Sequence, residues 1–230
     1  ELIKKSGILV PRYYWNSKKE EIADKAKKEN IKLISLQQLI DEGIIEYFDG
    51  NGSPSSEFKG TGDIPYIRVK DIVNWQIYKD PTALIPETEY KRLFKESKQL
   101  KEKDLLYVRR GSYRIGSVAM VSPYDLKVIL TREILVLRVI DINNKYNLTP
   151  EYLMYALSHK LSFEQSNNKI FIDTTLPNIA DRWKEIEIPI YQNEEKYNLI
   201  KDKVSEVVSN QWKSLKEISE MKSDYDIYNT

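Results

Sequence analysis

The sequence predicts an α+β fold in which flanking helices cover a twisted, mainly antiparallel or mixed sheet, followed by one long C-terminal helix. Several short runs of β-branched and aromatic residues are bounded by turn residues, as is typical of strands. Helical patterns do not alternate regularly with these runs, which argues against a doubly wound parallel sheet. With 230 residues, the chain can bury a sizeable core and fits one large domain, or one domain with an appendage.

Two capping patterns predict helices near the N-terminus. Ser17-Lys18-Lys19-Glu20 has capping-box spacing, in which a hydroxyl and a carboxylate each bind a backbone N–H at a helix start. We expect a short polar helix from there to about Asn30. Ser35-Leu36-Gln37-Gln38 repeats the pattern, and Gly43 supplies the left-handed stop that ends many helices. A second short helix is therefore expected between them.

The remaining elements of the domain are strands and one further helix. Thr149 offers an N-cap hydroxyl and Pro150 suits the first helical position, so we expect a helix over residues 151 to about 161. His159 falls near the end of this helix, where it is expected to act as a cap. The strands predicted from β-rich runs are 44–48, 64–69, 105–109, 117–121, 134–139 and 183–190.

The C-terminal segment carries a long row of residues at alternating spacings of four and three. Such a row over about four heptads favours packing against another helix. Packing against the helix's own domain explains the row equally well, so both interpretations stay open. The row contains Tyr197, Val204, Val208, Gln211, Leu215, Ile218 and Tyr225, and Lys201 and Lys222 interrupt it. The predicted partner-facing residues are Val204, Val208, Gln211, Leu215 and Ile218.

Composition excludes several classes of protein. The chain has no cysteine and one histidine, His159, which argues against disulfides, metal sites and a Ser/His/Asp catalytic set. No apolar run approaches the roughly 20 residues of a membrane helix, and the first residues, Glu1-Leu2-Ile3-Lys4-Lys5, lack a signal-peptide pattern. We therefore expect a cytoplasmic protein without membrane contact. Because the chain starts with Glu1 rather than Met, we expect either a piece of a longer polypeptide or a chain whose tag was removed.

Positive charge is concentrated in one segment although the net charge is only +1. Residues 91–114 contain nine cations and three carboxylates, which gives 9 − 3 = +6. Three arginines fall within the glycine-containing loop 109–116, where guanidinium groups crowd together unless an anion or solvent separates them. DNA phosphate is such an anion, and arginine also binds guanine O6 and N7. The competing interpretation is a solvated turn on a lysine-rich protein.

Two amide-rich segments extend the candidate DNA-binding set. Asn74-Trp75-Gln76 carries two amides of the kind that bind adenine N6 and N7, and Ser166-Asn167-Asn168-Lys169 is predicted to be a second amide-rich loop. The competing interpretations are a core tryptophan and an ordinary polar turn. The candidate DNA-binding residues are Arg68, Lys70, Asn74, Gln76, Arg109, Arg110, Ser112, Tyr113, Arg114, Asn167, Asn168 and Lys169.

The turn Phe48-Asp49-Gly50-Asn51-Gly52 matches the F-x-G-x-G pattern with which class I methyltransferases hold S-adenosylmethionine. In those enzymes a helix follows the turn, whereas Ser53-Pro54-Ser55-Ser56 follows it here. The N-P-P-[YFW] loop of amino-methyltransferases is also absent from the sequence. We therefore expect no catalytic residues and no cofactor in this chain.

An ordered series of short motifs runs from about Ile31 to about Ile200. It consists of Gly52-Ser53-Pro54-Ser55, Phe58, Gly62-Asp63, Ile64-Pro65-Tyr66-Ile67, Asp71-Ile72, Lys103-Asp104-Leu105-Leu106, the glycine turn 111–118, Thr175-Leu176-Pro177-Asn178-Ile179 and Ile186-Glu187-Ile188-Pro189-Ile190. In this order the motifs resemble the target recognition domain of the specificity subunits of type I restriction-modification systems.

The resemblance implies a non-catalytic reader of double-stranded DNA within a restriction-modification system. It implies an N-terminal connector at 1–30, a target recognition domain at 31–190 and a spacer or dimerisation helix at 191–230. Adenine methylation with S-adenosylmethionine would then belong to a modification subunit or domain, with a restriction subunit as a further partner.

Only one recognition domain and one spacer helix are present in this sequence, where such subunits usually carry two of each. The chain is therefore expected to be either a half subunit that forms a homodimer or the tail of a fused methyltransferase, which the segment Val10-Pro11-Arg12-Tyr13-Tyr14-Trp15 slightly favours as a connector. The alternative function is a protein-interaction module. In that case the C-terminal helix dimerises or docks a partner, and the basic loop binds an acidic protein surface.

Overall fold

The computed structural model describes Tyr13 and residues 16–111, 113–172 and 176–224. This part of the chain combines short helices with several small sheets, which confirms the predicted α+β class. Its α-helices are α1 (Asn16–Lys28), α2 (Leu36–Asp41), α3 (Glu87–Leu93), α4 (Pro150–Ser158), α5 (Lys160–Lys169) and α6 (Glu194–Asp224).

The strands are short and mostly antiparallel. They are β1 (Ile31–Ser35), β2 (Ile45–Asp49), β3 (Ile64–Ile67), β4 (Ile72–Val73), β5 (Gln76–Ile77), β6 (Leu84–Ile85), β7 (Leu105–Val108), β8 (Val118–Met120), β9 (Ile129–Leu130), β10 (Ile134–Val139), β11 (Phe171–Ile172), β12 (Pro177–Asn178) and β13 (Glu187–Tyr191). The largest sheet has the antiparallel order β2-β10-β7-β8. Strand β3 pairs with β6 in antiparallel and with β9 in parallel orientation. The sheets are therefore mainly antiparallel and the β6-β3-β9 sheet is mixed, as the sequence predicts.

Strands β7 and β10 form the centre of the main core. All four residues of β7 and the first four of β10 are buried, so this pair contributes apolar side chains to both faces of the sheet. At the far end of β10, the Arg138 guanidinium donates to both oxygens of Asp104 at 2.7 Å. Asp104 is 1% exposed, so this ion pair is shielded from water. Its contribution to stability therefore depends on good hydrogen-bond geometry.

The N-terminal region packs onto the C-terminal strand. Strand β1 pairs along its whole length with β13, and the sequence did not predict β1. The Ser35 hydroxyl accepts a hydrogen bond from Gln38 N at 3.1 Å, which caps α2 as predicted, and Gly43 has φ +68°. Helix α1 begins at Asn16, but the side chain of Ser17 lies outside the described residues, so its capping box stays a prediction.

The glycine turn after β2 packs directly against the loop before β10. A Cβ atom on Gly50 would lie 2.1 Å from the carbonyl oxygen of Thr131, so a side chain has no room there. The next helical segment is a single 3-10 turn, Ser56–Phe58. Gly50 therefore permits close packing between two chain segments.

The region 150–169 differs from its prediction. Thr149 caps α4 and accepts from Tyr152 N at 3.2 Å, as expected, but α4 ends at Ser158 and a second helix, α5, continues to Lys169. His159 lies between them, and its Nδ1 accepts from Leu161 N at 3.2 Å, so the predicted cap belongs to the start of α5. The predicted amide-rich loop at 166–169 is wrong because these residues are helical.

Two more boundaries differ near the C-terminus. Residues 180–185 form a 3-10 helix that buries Trp183, and β13 begins only at Glu187. The predicted strand from residue 183 is therefore too long at its start. In the part of the chain that the structure describes, none of the helices combines the length and the apolar character that a membrane span requires.

Helix α6 divides into a buried and an exposed half. Tyr197 stacks on Tyr152 with ring centroids 4.0 Å apart, and Val204 and Val208 are buried in the main core. Leu215 and Ile218 are 38% and 50% exposed. The prediction that Val204 and Val208 face a partner is wrong, since their own domain covers them.

Candidate nucleic-acid interface

The candidate site lies where β7 ends beside the start of β10. Val108 pairs with Ile134 across the two strands. One residue further, the backbone N–H of Arg109 donates to the carbonyl oxygen of Glu133 at 3.0 Å. This pairing holds the arginine-rich loop after β7 next to the short segment Thr131-Arg132-Glu133 that precedes β10.

The first of two clefts at this edge has a volume of about 540 Å³. Backbone contacts fix its floor, because Gly111 N donates to Pro177 O and Ile179 N donates to Arg109 O, both at 3.0 Å. Four arginines contribute to its walls together with three carboxylates. The lining residues are Arg109, Arg110, Arg132, Glu133, Asn178, Ala180, Asp181, Arg182 and Glu185.

The second cleft adjoins the first, because Glu133 lines both. It has a volume of about 340 Å³ and is lined by Arg68, Val69, Lys70, Gly111, Tyr113, Arg114, Thr131, Glu133 and Leu176. We call the residues Arg68, Lys70, Arg109, Arg110, Arg114, Arg132 and Arg182, together with the central Glu133, the arginine face. Seven cationic residues and three carboxylates line the two clefts in the described part of the chain.

Two cations of the arginine face, Arg68 and Lys70, form salt bridges beside the second cleft. Arg68 binds Asp71 at 2.9 Å and also pairs with Asp80, which Lys70 shares at 3.1 Å. Hydrogen bonds from Thr82 are the largest cause that holds the pKa of Asp80 far below its usual range, and those from Arg68 and Lys70 add to it. Asp80 therefore stays ionised and fixes both cations at the rim of the second cleft.

Arg109 and Arg182 also have internal partners. Arg109 pairs with the half-exposed Asp49 at 2.8 Å. Arg182 donates to the carbonyl oxygens of Lys169 and Asn178, both at 3.0 Å, and its guanidinium lies 3.9 Å from the centre of the Phe171 ring. Arg182 thus supports the wall of the first cleft and orders the segment around β12.

Two cations of the arginine face, Arg110 and Arg132, form no salt bridge among the described residues. Nε of Arg110 is buried and has no hydrogen-bond acceptor among the described residues, which is a rare state for a buried donor. Arg132 is exposed, and the described residues contain no ion pair to it. These two guanidiniums can meet an external anion without first breaking a salt bridge.

The positive charge of the arginine face also affects the pKa of Lys98. The Lys98 ammonium donates to Gly50 O at 3.0 Å. Burial is the largest cause that lowers the pKa of Lys98; Asp49 opposes it, and the positive charges of Lys95, Arg132 and Arg109 lower it further. Lys98 therefore lies within reach of the arginine face and adds to its positive charge.

Tyr113 stands out from the surface beside Arg114. Its side chain is 86% exposed, and the Arg114 guanidinium lies 5.3 Å from the centre of its ring. An exposed tyrosine next to an arginine offers both a stacking surface and a hydroxyl. Ser112, which the sequence also singles out, lies outside the described residues.

The structure thus brings together one part of the predicted set: Arg68, Lys70, Arg109, Arg110, Tyr113 and Arg114. Sequence reasoning missed Arg132, Glu133 and Arg182. For the first two, the available signal was a pair of charged residues directly before the strand 134–139. For Arg182, the sequence offered no comparable signal, because its position depends on the packing of β12.

Asn74 and Gln76 lie in a different place. Asn74 lies in the turn of the β4–β5 hairpin, where Asn74 and Trp75 have positive φ, at 50° and 67°, and Gln76 is the first residue of β5. Trp75 is held by its indole N–H, which donates to Ser158 Oγ at 2.7 Å. Both amides are exposed and line a cleft of about 500 Å³ together with Leu215 of α6. They do not line either cleft of the arginine face.

Asn167, Asn168 and Lys169 occupy the last turn of α5. Lys169 is only 7% exposed, and its ammonium pairs with Glu185 at 2.6 Å. Asn168 lines a further cleft of about 500 Å³ with Tyr13 and Glu187. The burial of Lys169 and its ion pair with Glu185 do not suit the DNA-reading role that the sequence predicts for it.

Metal-binding chemistry finds no support at this surface. Within the ranges that the structure covers, no three His, Cys, Asp or Glu side chains are grouped as a metal site would require. The arrangement offers guanidinium donors, carboxylate acceptors with Glu133 at the centre, and an exposed aromatic ring. These are the groups that bind phosphates and base edges.

The fold and this surface together define an α+β domain with a basic edge and a protruding helix. No family model and no curated protein sequence matches the chain. Among solved structures, it resembles the S subunit of a type I restriction-modification system from M. genitalium, with 18% identity over 84% of this chain and 43% of that chain and a TM-score of 0.51.

A second similar structure is the type IIG restriction endonuclease BpuSI, with 12% identity over 86% of this chain and 28% of that chain and a TM-score of 0.52. The HsdS subunit from Thermoanaerobacter tengcongensis aligns over 88% of this chain and 46% of that chain, with 17% identity and a TM-score of 0.48. The chain spans less than half the length of each of these proteins. The resemblance that the sequence predicts is therefore confirmed at the level of the fold.

Proposed function

We propose that this chain is the specificity component of a restriction-modification system and recognises a sequence in double-stranded DNA. The observation that carries the proposal is the arginine face, where Arg110, with an unsatisfied Nε, and the exposed Arg132 line the same cleft. The fold shared with an S subunit and with a type IIG endonuclease supports the same function. The domain itself carries out no chemistry in this proposal.

The arginine face suits both parts of DNA recognition. Guanidinium groups bind phosphate through charge-assisted hydrogen bonds, and this contact positions a protein on the duplex without reading its sequence. The same groups bind O6 and N7 of guanine when they reach the major groove. Arg109, already paired with Asp49, suits a positioning role, whereas Arg110 and Arg132 are available for new contacts.

Methylation is assigned to a partner in this proposal. An adenine-methyltransferase subunit or domain would bind S-adenosylmethionine and act on the site that this domain selects, and a restriction subunit would cleave unmodified DNA. The exposed half of α6 offers a docking surface for such a subunit, since Leu215, Ile218 and Met221 are 38%, 50% and 50% exposed. A half subunit that forms a homodimer and a segment of a fused polypeptide both suit this arrangement.

A binding-site selection tests the proposal. The purified chain is mixed with a pool of duplexes that contain a random central region, and the bound DNA is recovered, amplified and sequenced over several rounds. We expect enrichment of one short motif, because base-edge contacts discriminate by roughly 1–3 kcal/mol for each base pair. The double variant Arg110→Ala/Arg132→Ala is the matched control and should enrich no motif. Random sequences after selection with the unmodified chain would refute the proposal.

The second candidate function is a protein-interaction module. The exposed apolar residues at the end of α6 favour it, because contiguous apolar surface commonly marks an interface. Sedimentation of the chain and of the variant Leu215→Lys/Ile218→Lys tests whether the chain self-associates through this helix. We expect a dimer that the variant converts to a monomer. If both forms sediment as monomers, the homodimer is excluded and docking of another subunit remains to be measured.

A further inference from the structure

Glu133 is the one member of the arginine face with negative charge, and it lies at the centre of that surface. Its side chain lines both clefts, so it faces the same space as Arg110, Arg132 and Arg114. Its backbone is fixed by the hydrogen bond from Arg109 N to its carbonyl oxygen, and it directly precedes β10. A methyl group added at Gly111 would lie 3.6 Å from Cγ of Glu133, so the loop after β7 also packs near the Glu133 side chain.

The Glu133 carboxylate is only partly committed to the protein. The Thr131 hydroxyl donates a hydrogen bond to its Oε2. Among the described residues, no arginine or lysine forms a salt bridge with this carboxylate, although several arginines line the same clefts. Neutralisation of a particular guanidinium therefore does not explain its position. Among the described residues its Oε1 accepts no hydrogen bond, so this oxygen can accept one from a bound molecule.

A carboxylate on a surface that binds a polyanion lowers affinity for every phosphate near it. Phosphate contacts alone therefore do not account for Glu133. Base edges are different, because cytosine N4 and adenine N6 present amino donors in the major groove, whereas guanine and thymine present acceptors there at the corresponding positions. Adenine also presents N7, an acceptor that suits an amide better than a carboxylate. Cytosine is thus the base that an ionised glutamate fits.

We infer that Glu133 is a specificity-determining residue that accepts a hydrogen bond from the exocyclic amine of a cytosine in the major groove. The inference rests on the proposed function, because it requires that the arginine face docks on duplex DNA. An arginine beside Glu133 is then suited to O6 and N7 of the guanine in the same base pair. The two side chains together read one G·C pair in one orientation.

The variant Glu133→Gln tests the inference with little change in shape. Glutamine keeps an oxygen that accepts from the Thr131 hydroxyl, but it loses the negative charge and gains a donor. Binding-site selection with the unmodified chain is expected to require cytosine at one position, and selection with the variant should lose that requirement. Affinity for the selected site should fall by about 5- to 150-fold, as the loss of one good base contact of roughly 1–3 kcal/mol implies.

The affinity of Glu133→Gln for a duplex of unrelated sequence should rise or stay unchanged, because the variant removes a charge that repels phosphate. Asp181→Asn serves as the matched control, since Asp181 lines the first cleft but is not shared with the second. This control should keep the cytosine requirement. Thermal unfolding of all forms verifies that the domain stays folded.

The outcomes separate the two proposals. If the unmodified chain selects no motif, the proposed function fails. If it selects a motif and Glu133→Gln keeps the same cytosine and the same affinity ratio between selected and unrelated DNA, the inference on Glu133 is overturned while the proposed function stands. Equal weakening on both duplexes would also overturn it, because that result indicates a purely structural role.

Discussion

The salt dependence of DNA binding provides a quantitative test of the arginine face. Each phosphate contact contributes a slope of about −0.9 to the plot of log affinity against log salt concentration, through release of counterions. Arg110 and Arg132 have no salt bridge among the described residues, so Arg110→Ala/Arg132→Ala should reduce the slope by about 1.8 if both contact phosphate. Between 50 and 200 mM salt, the unmodified chain should then lose about 12-fold more affinity than the variant.

Fluorescence anisotropy with a labelled duplex of unrelated sequence, titrated at several KCl concentrations, measures this slope. The control Lys213→Ala/Lys216→Ala removes the same net charge from α6, where each lysine lies near a glutamate one turn away. Arg109→Ala should reduce the slope by less than a full contact, since Arg109 is already paired with Asp49. The reasoning is refuted if the slope of the double variant equals that of the lysine control.

Three further predictions concern stability. Arg138→Ala should lower the free energy of unfolding in urea by about 3–5 kcal/mol, because it leaves the buried Asp104 without its partner. Burial lowers the pKa of His159 below its usual 6.5; the unfolded chain therefore binds the proton first, and stability should fall as the pH is lowered from about 6.5 through the pKa of the folded state. NMR resolves this single imidazole. Gly50→Ala should cost about 1–3 kcal/mol or more, since its Cβ would collide with the Thr131 carbonyl oxygen.

Each of these predictions has a matched control. Lys145→Ala, which removes an exposed ion pair with Glu42, should change stability far less than Arg138→Ala does. His159→Asn should flatten the dependence of stability on pH, and an unchanged dependence would contradict the assignment. Gly43→Ala meets no atom within 4 Å and should therefore cost only the strain of its positive φ. Equal losses at Gly43 and Gly50 would show that steric contact with Thr131 is unimportant.

Local signals in the sequence were sufficient for the elements whose cause is local. Residues 134–139 are β-branched and leucine-rich, and β10 occupies these residues. Thr149 and Pro150 begin α4 because a hydroxyl cap and a fixed φ act within one turn. The loop after β7 contains three of the arginines of the candidate site, and their crowding was visible without any tertiary information.

Tertiary packing decided the elements that the sequence missed. Residues 162–169 are rich in serine, glutamine and asparagine and resemble a loop, yet Ser162 Oγ donates to Ala156 O at 2.6 Å and Gln165 exchanges hydrogen bonds with the backbone of Glu187. These partners lie in other elements and stabilise α5 against its weak propensity. Glu133 was missed for the same reason, since only the pairing of β7 with β10 places it between the arginines.

The arginine face is attached to the ends of two core strands and lies outside the core itself. Arg110, Arg114, Arg132 and Glu133 project from residues beyond the ends of β7 and β10 and contribute nothing to the main apolar cluster. Substitutions outside such a cluster usually alter stability by less than about 0.5 kcal/mol. If the arginine face selects DNA as proposed, exchange of these four side chains would change the selected sequence while the main core keeps the fold.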